Sequence, residues 1–135
     1  MPLVNISLRI GPKPDYRRAI ADGVHQAMMD AFKIPADDRF IQTWEHSAEN
    51  MIQDRTFFAI ERSGKSIFLQ IVVNHRPVEH KTSFYQLVVK NLVDAPGPRQ
   101  EDIFIGVVEV APENCWAFAR HINAGGIDDR ASSAP

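Results

Sequence analysis

Twice along this chain an apolar, strand-like run gives way to a proline-bounded amphipathic helix and then to another strand-like run. That order constrains the fold more than any single residue does. In "LVNISLRI" the residues Leu3, Val4, Ile6, Leu8 and Ile10 are apolar, and "GPKPD" breaks the run with turn residues. "YRRAIADGVHQAMMDAF" then sets Ile20, Val24, Ala27 or Met28, and Ala31 or Phe32 at helical spacing. Pro14 suits the first helical turn, and Pro35 stops the helix from continuing beyond Ile34. "RFIQTWEH" follows as a β-branched and aromatic strand, although Gln42 and His46 prevent an entirely apolar face.

The second half repeats the order without repeating the residues. "SIFLQIVV" reads as a strand, and "RPVEHKTSFYQLVVKNLV" as a helix lined by Val78, Phe84 or Tyr85, Val88 and Leu92. "IFIGVVEV" closes the second unit as a strand. Pro96, Gly97 and Pro98 punctuate the helix end, and Pro112 separates the last strand from "ENCWAFARHINAGG", a short helix or closing loop. The expected class is α+β: two β-α-β units around a four-stranded sheet, with additional short terminal elements. Residues 1–123 form the expected domain and residues 124–135 a flexible tail with few large apolar groups. Helices on one sheet face leave the other needing burial, so an oligomer is expected.

Composition narrows the partners. A 135-residue chain with 44% hydrophobic and 24% charged residues suits one globular domain, and a formal charge of -2 offers no attraction to nucleic acid or an anionic membrane. Cys115 is the single cysteine, so no internal disulfide can form, and the expected location is cytoplasmic. The histidines and the cysteine make no compact metal-ligand pattern, and neither a metal nor a cofactor is expected.

Several residues carry chemistry of two kinds. Pro2 can simply lead a strand; with Met1 removed it becomes a secondary amine titrating near about 8 and able to move protons. Arg76, between a strand and a helix, can grip a carboxylate with its fork or lie solvated. Asp38 and Arg39 in "ADDRF" can orient each other at a cleft or form a surface turn pair, and Asn74 can orient substrate or hold a loop. His25 reads as the polar face of the first helix. His46 and His75 can approach a site from separate strands, and Glu109 can reach its mouth. Phe40, Trp44, Phe57 and Phe58 suit a core or an interchain patch.

Taken together, "PLVNISLRIG", "FKIPADDRF" and "RPVEHKTSFY" resemble the tautomerase superfamily, particularly its malonate semialdehyde decarboxylase branch. The resemblance implies a tautomerase-like fold, a homotrimer and a mature amino-terminal proline in the active site. It places catalysis on Pro2, Asp38 and Arg76, with Arg76 at the substrate-carboxylate position; Arg39 and Asn74 stand beside it as further candidates for orienting substrate. That branch carries an arginine two residues before the one matching Arg76, where this chain has Asn74. The function expected first is proton transfer between a small 2-oxo acid and its enol by neutral Pro2. A small anionic carbonyl or enol is thus the expected partner. The alternatives are decarboxylation of malonate semialdehyde or a related 3-oxo acid, and a noncatalytic oligomeric interaction role.

Overall fold

The computed structural model describes residues 2–118 together with the backbone of Arg120 and His121. Strand β1 runs Leu3–Arg9, helix α1 Pro14–Phe32 and strand β2 Ile41–His46. Strand β3 runs Ile67–Asn74, helix α2 Val78–Asp94 and strand β4 Ile103–Val110. These are the two β-α-β units expected from the sequence. Each unit pairs its own strands in parallel, β1 with β2 and β3 with β4. The units join through an antiparallel β1–β3 seam, giving the sheet order β2-β1-β3-β4.

Period-two burial fixes which sheet face meets the helices. Val4, Ile6 and Leu8 of β1 and Ile67, Leu69, Ile71 and Val73 of β3 are buried beneath α1 and α2. The helices answer with period 3.6: Ile20, Val24, Ala27, Met28 and Ala31 on α1, and Phe84, Val88 and Leu92 on α2. Val78 is exposed, against expectation, because it stands six residues before Phe84, about 240° round the helix and off that stripe. α1 and α2 approach closely at Gly23, where an added Cβ would come within 2.9 Å of Leu92. The Asn91 amide donates to the Gly23 carbonyl at 3.0 Å across the same crossing.

Helix ends follow the chain chemistry. Pro14 opens α1, and Lys33 closes it in the left-handed region at φ 58°, donating its N–H to the Met29 carbonyl. Pro35 then prevents any resumption.

The second sheet face has no helix over it. Leu3, Trp44, Phe104 and Val108 lie there, Trp44 53% and Phe104 66% exposed. Several large apolar side chains on one sheet face mark a contact surface. Phe57 and Phe58 also lie outside the core, packed on each other with ring centroids 4.2 Å apart in an exposed turn. After β4 the chain forms a short turn at Pro112–Asn114 and a two-residue strand, Trp116–Ala117, paired with Arg120–His121. These are short terminal elements; a strand pair stands in the described part of the segment where a helix or loop was expected, and residues 122–126 lie outside the described residues. The expected tail, 124–135, lies outside the described residues. No helix among them is long and apolar enough to cross a membrane.

Candidate active site

Register gathers the chemistry-bearing residues at one end of the sheet. The Val4 N–H donates to the Phe40 carbonyl at 3.0 Å, drawing the turn that holds Asp38 and Arg39 alongside the start of β1. Leu3 faces Val72, so the buried Pro2, one residue before β1, lies beside the carboxyl end of β3. Asn74 ends β3 opposite Val110, with Glu109 one residue earlier on β4. His46 ends β2 at the other edge, five residues beyond Ile41 and therefore roughly 17 Å away along the strand. It does not join the group.

Among the described residues Arg76 is the buried cation of this end, 8% exposed. Its Nη1 donates to the Asn74 and His75 carbonyls, both at 3.1 Å, which folds the side chain back over its own turn. The guanidinium lies over the Phe32 ring, and that ring stacks on Phe84. Burial pulls the Arg76 pKa below its ordinary value, while the charges of Asp38 and then Glu109 pull it back up.

Glu109 fastens the turn. One oxygen accepts the Arg76 backbone N–H at 2.7 Å, and the other accepts Lys81 Nζ at 3.1 Å. These contacts hold its carboxyl below the usual carboxylate range, the Arg76 N–H contributing most and the Lys81 hydrogen bond next. His75 reaches the same carboxylate at 3.1 Å, yet its side chain is largely in solvent. Glu109 therefore shapes the loop that presents Arg76, and Lys81 is its partner.

Asp38 is 2% exposed, and its charge acts on Arg76. Its N–H donates to the Pro35 carbonyl at 3.1 Å, closing the turn. Arg39 pairs with Asp22 on α1. Asn74 is 3% exposed; its Nδ2 donates to the Val110 carbonyl at 3.1 Å, while Oδ1 meets no hydrogen-bond partner among the described residues.

His25, expected on the polar face of α1, is instead buried, and its Nε2 donates to the Ala36 carbonyl at 2.9 Å. The sequence carried a signal for this: His25 stands three and seven residues before Met28 and Phe32, on the apolar stripe.

Among the described residues no group of three or more His, Cys, Asp or Glu side chains converges to hold a metal ion. Two cavities, of about 710 and 460 Å³, lie at the far end of the sheet. The larger is lined by Arg62, Asp102 and Phe104 among others, the smaller by Arg9, Tyr16 and Lys65 among others, and none of the expected site residues borders either. The near end instead offers a buried carboxylate, a buried guanidinium and the start of the chain. Such a set suits a small anion that gains or loses charge during reaction.

The family model described as "Tautomerase enzyme" matches residues 38–119, and a second with the same description matches residues 2–58. The chain belongs to the tautomerase family of enzymes. This tautomerase is 28% identical over 118 residues to the probable tautomerase YrdN of Bacillus subtilis (strain 168), covering 87% of this chain and 91% of that one. Among solved structures, a malonate semialdehyde decarboxylase studied as wild type, mutant and inactivated enzyme superposes with a TM-score of 0.81 at 29% identity, covering 87% of this chain and 91% of that chain. FG41 malonate semialdehyde decarboxylase inhibited by 3-bromopropiolate also gives 0.81, at 27% identity over 98% and 99% of the two chains. The fold of this tautomerase extends to a fused 4-OT described as a symmetric trimer, with a TM-score of 0.71 at 17% identity over 92% and 97%.

Proposed function

We propose that this tautomerase-family enzyme decarboxylates a small 3-oxo acid of the malonate semialdehyde class, using Pro2 as a cationic amine after loss of Met1. The observation that carries this reading is the burial of Asp38, 2% exposed, in the turn drawn alongside the strand that follows Pro2. A carboxylate held out of water near an amine favours the protonated amine. Decarboxylation needs that form, because the electron pair released from the breaking bond accumulates on the carbonyl oxygen.

The steps balance without a cofactor. Arg76 grips the substrate carboxylate and the Pro2 ammonium donates to the 3-oxo oxygen. The bond between the carboxyl carbon and its neighbour breaks, carbon dioxide leaves, and the pair forms an enolate. The enolate carbon then takes a proton from Pro2, and Pro2 regains one from solvent.

Isomerisation of a 2-oxo acid by neutral Pro2 is the second reading, and the Arg76 cation at the same sheet end favours it. The sequence ranked it first. The solved relatives at 27–29% identity whose enzyme is a malonate semialdehyde decarboxylase support the opposite order. One of them was studied with its first residue, a proline, changed to alanine. We further propose that the uncovered face of the sheet closes three copies into a homotrimer. The test is a direct comparison: carbon dioxide release from malonate semialdehyde against ultraviolet-monitored isomerisation of small 2-oxo acids. Isomerisation with no carbon dioxide released would reject the leading reading.

A further inference from the structure

We infer that His25 is a positioning residue, fastening to helix α1 the turn that carries Asp38. The imidazole is 3% exposed and sits on the apolar side of α1, a place that a plain hydrocarbon would fill without any polar group to satisfy. Its Nε2 lies 2.9 Å from the Ala36 carbonyl, so that nitrogen carries the proton and donates. Its Nδ1 meets no partner among the described residues. The single bond to Ala36 is therefore the polar role of the side chain.

That bond is one of two grips on the same segment. Asp22 lies three residues before His25, hence on the same side of α1, and pairs with Arg39. The helix thus holds the chain two residues before Asp38 and one residue after it. Between the grips, the Asp38 N–H closes the turn onto Pro35 at 3.1 Å. Charged groups bearing on the segment are Arg76 from the second unit, itself under the charge of Glu109, and Asp22, Asp37 and Arg39 from the first. With the Ala36 carbonyl released, Asp38 would drift from Arg76 and from the amine of Pro2. The catalytic readout rests on the proposed pairing of Asp38 with Pro2; the structural readout does not.

The experiment compares His25→Leu, His25→Gln and Asp38→Asn in the full-length enzyme, measuring kcat, KM and their pH dependence for malonate semialdehyde, with amide hydrogen exchange alongside. His25→Leu should lower kcat about tenfold with KM nearly unchanged, because a small misplacement of a reacting group acts on the chemical step. The alkaline limb of its rate profile should move to lower pH, since a displaced carboxylate supports the Pro2 proton less well. His25→Gln, whose amide still reaches Ala36, should recover most of the rate. Added to Asp38→Asn, the leucine change should have no further effect on the limb. Exchange at the Asp38 N–H should quicken in His25→Leu while α2 stays protected. Unchanged exchange there overturns the inference whatever the activity. A limb unmoved by Asp38→Asn, with exchange quickened in His25→Leu, rejects the Asp38–Pro2 pairing and leaves His25 as the anchor. If His25→Leu does not fold, His25→Asn, too short for Ala36, takes its place with the same outcomes.

Discussion

The Arg76 guanidinium lies over the ring of Phe32, 5.4 Å from its centroid, and that ring stacks on Phe84 with 4.7 Å between centroids. One ring thereby joins the last turn of α1, the core face of α2 and the cation of the candidate site. Core packing and the cation of the candidate site share a side chain.

Phe32→Leu should lower stability by roughly 1–3 kcal/mol, through loss of the ring stack and the cation–π contact. Urea titration measures this. The KM of an anionic substrate should rise as Arg76 loses its support, and unchanged values of both would separate the ring from the site.

Arg76→Lys keeps the charge but replaces a rigid fork with a single ammonium. It should reduce kcat/KM about 10- to 100-fold, the range of a lost charge-assisted hydrogen bond. Kinetics within twofold of the parent enzyme would remove Arg76 from the carboxylate grip.

Glu109 titrates below the ordinary carboxylate range in the folded state, so folding favours its ionised form. Its contribution is fully present above the unfolded value of about 4.3 and is lost as pH falls through the folded value. Glu109→Gln should therefore be less stable than the parent at pH 7, and the two should converge as pH falls below the unfolded value and through the folded one. Denaturant titrations across this window test the sign, and a constant difference would contradict it.

Intact mass of the active enzyme should lack Met1, because an internal proline is an amide nitrogen without basicity. Full activity in a chain retaining Met1 would end the amine mechanism.

Trp44→Asp and Phe104→Asp put charge on the uncovered sheet face without touching the core beneath the helices. Each should shift sedimentation from a trimer towards monomer at micromolar concentration. A parent protein that is already monomeric would instead leave these side chains without an oligomeric role.

The two β-α-β units were legible because their signals are local: alternation in β1, the Ile20–Ala31 stripe and the prolines at 14 and 35 all act within a few residues. Val78 misled because an apolar residue at a helix start looks like stripe until the phase is counted back from Phe84. Arg76 and Asp38 were legible as candidates from residue type and from family resemblance. Their electrostatic coupling was not, since it depends on strands far apart in sequence coming into register. Glu109 and His25 are harder cases. Their importance lies in backbone partners, the Arg76 N–H and the Ala36 carbonyl, and backbone groups leave no mark on a sequence.

The antiparallel β1–β3 seam divides the charges of the site between the two units. Pro2 and Asp38 belong to the first and Arg76 and Glu109 to the second, and the chain passes between them through the far-end segment 47–66. A chain cut within that segment would yield two fragments, each holding half of the proposed site and, under that proposal, neither able to act alone. Mixing them would restore turnover only where the seam re-forms, so catalysis itself would report that the halves had found each other.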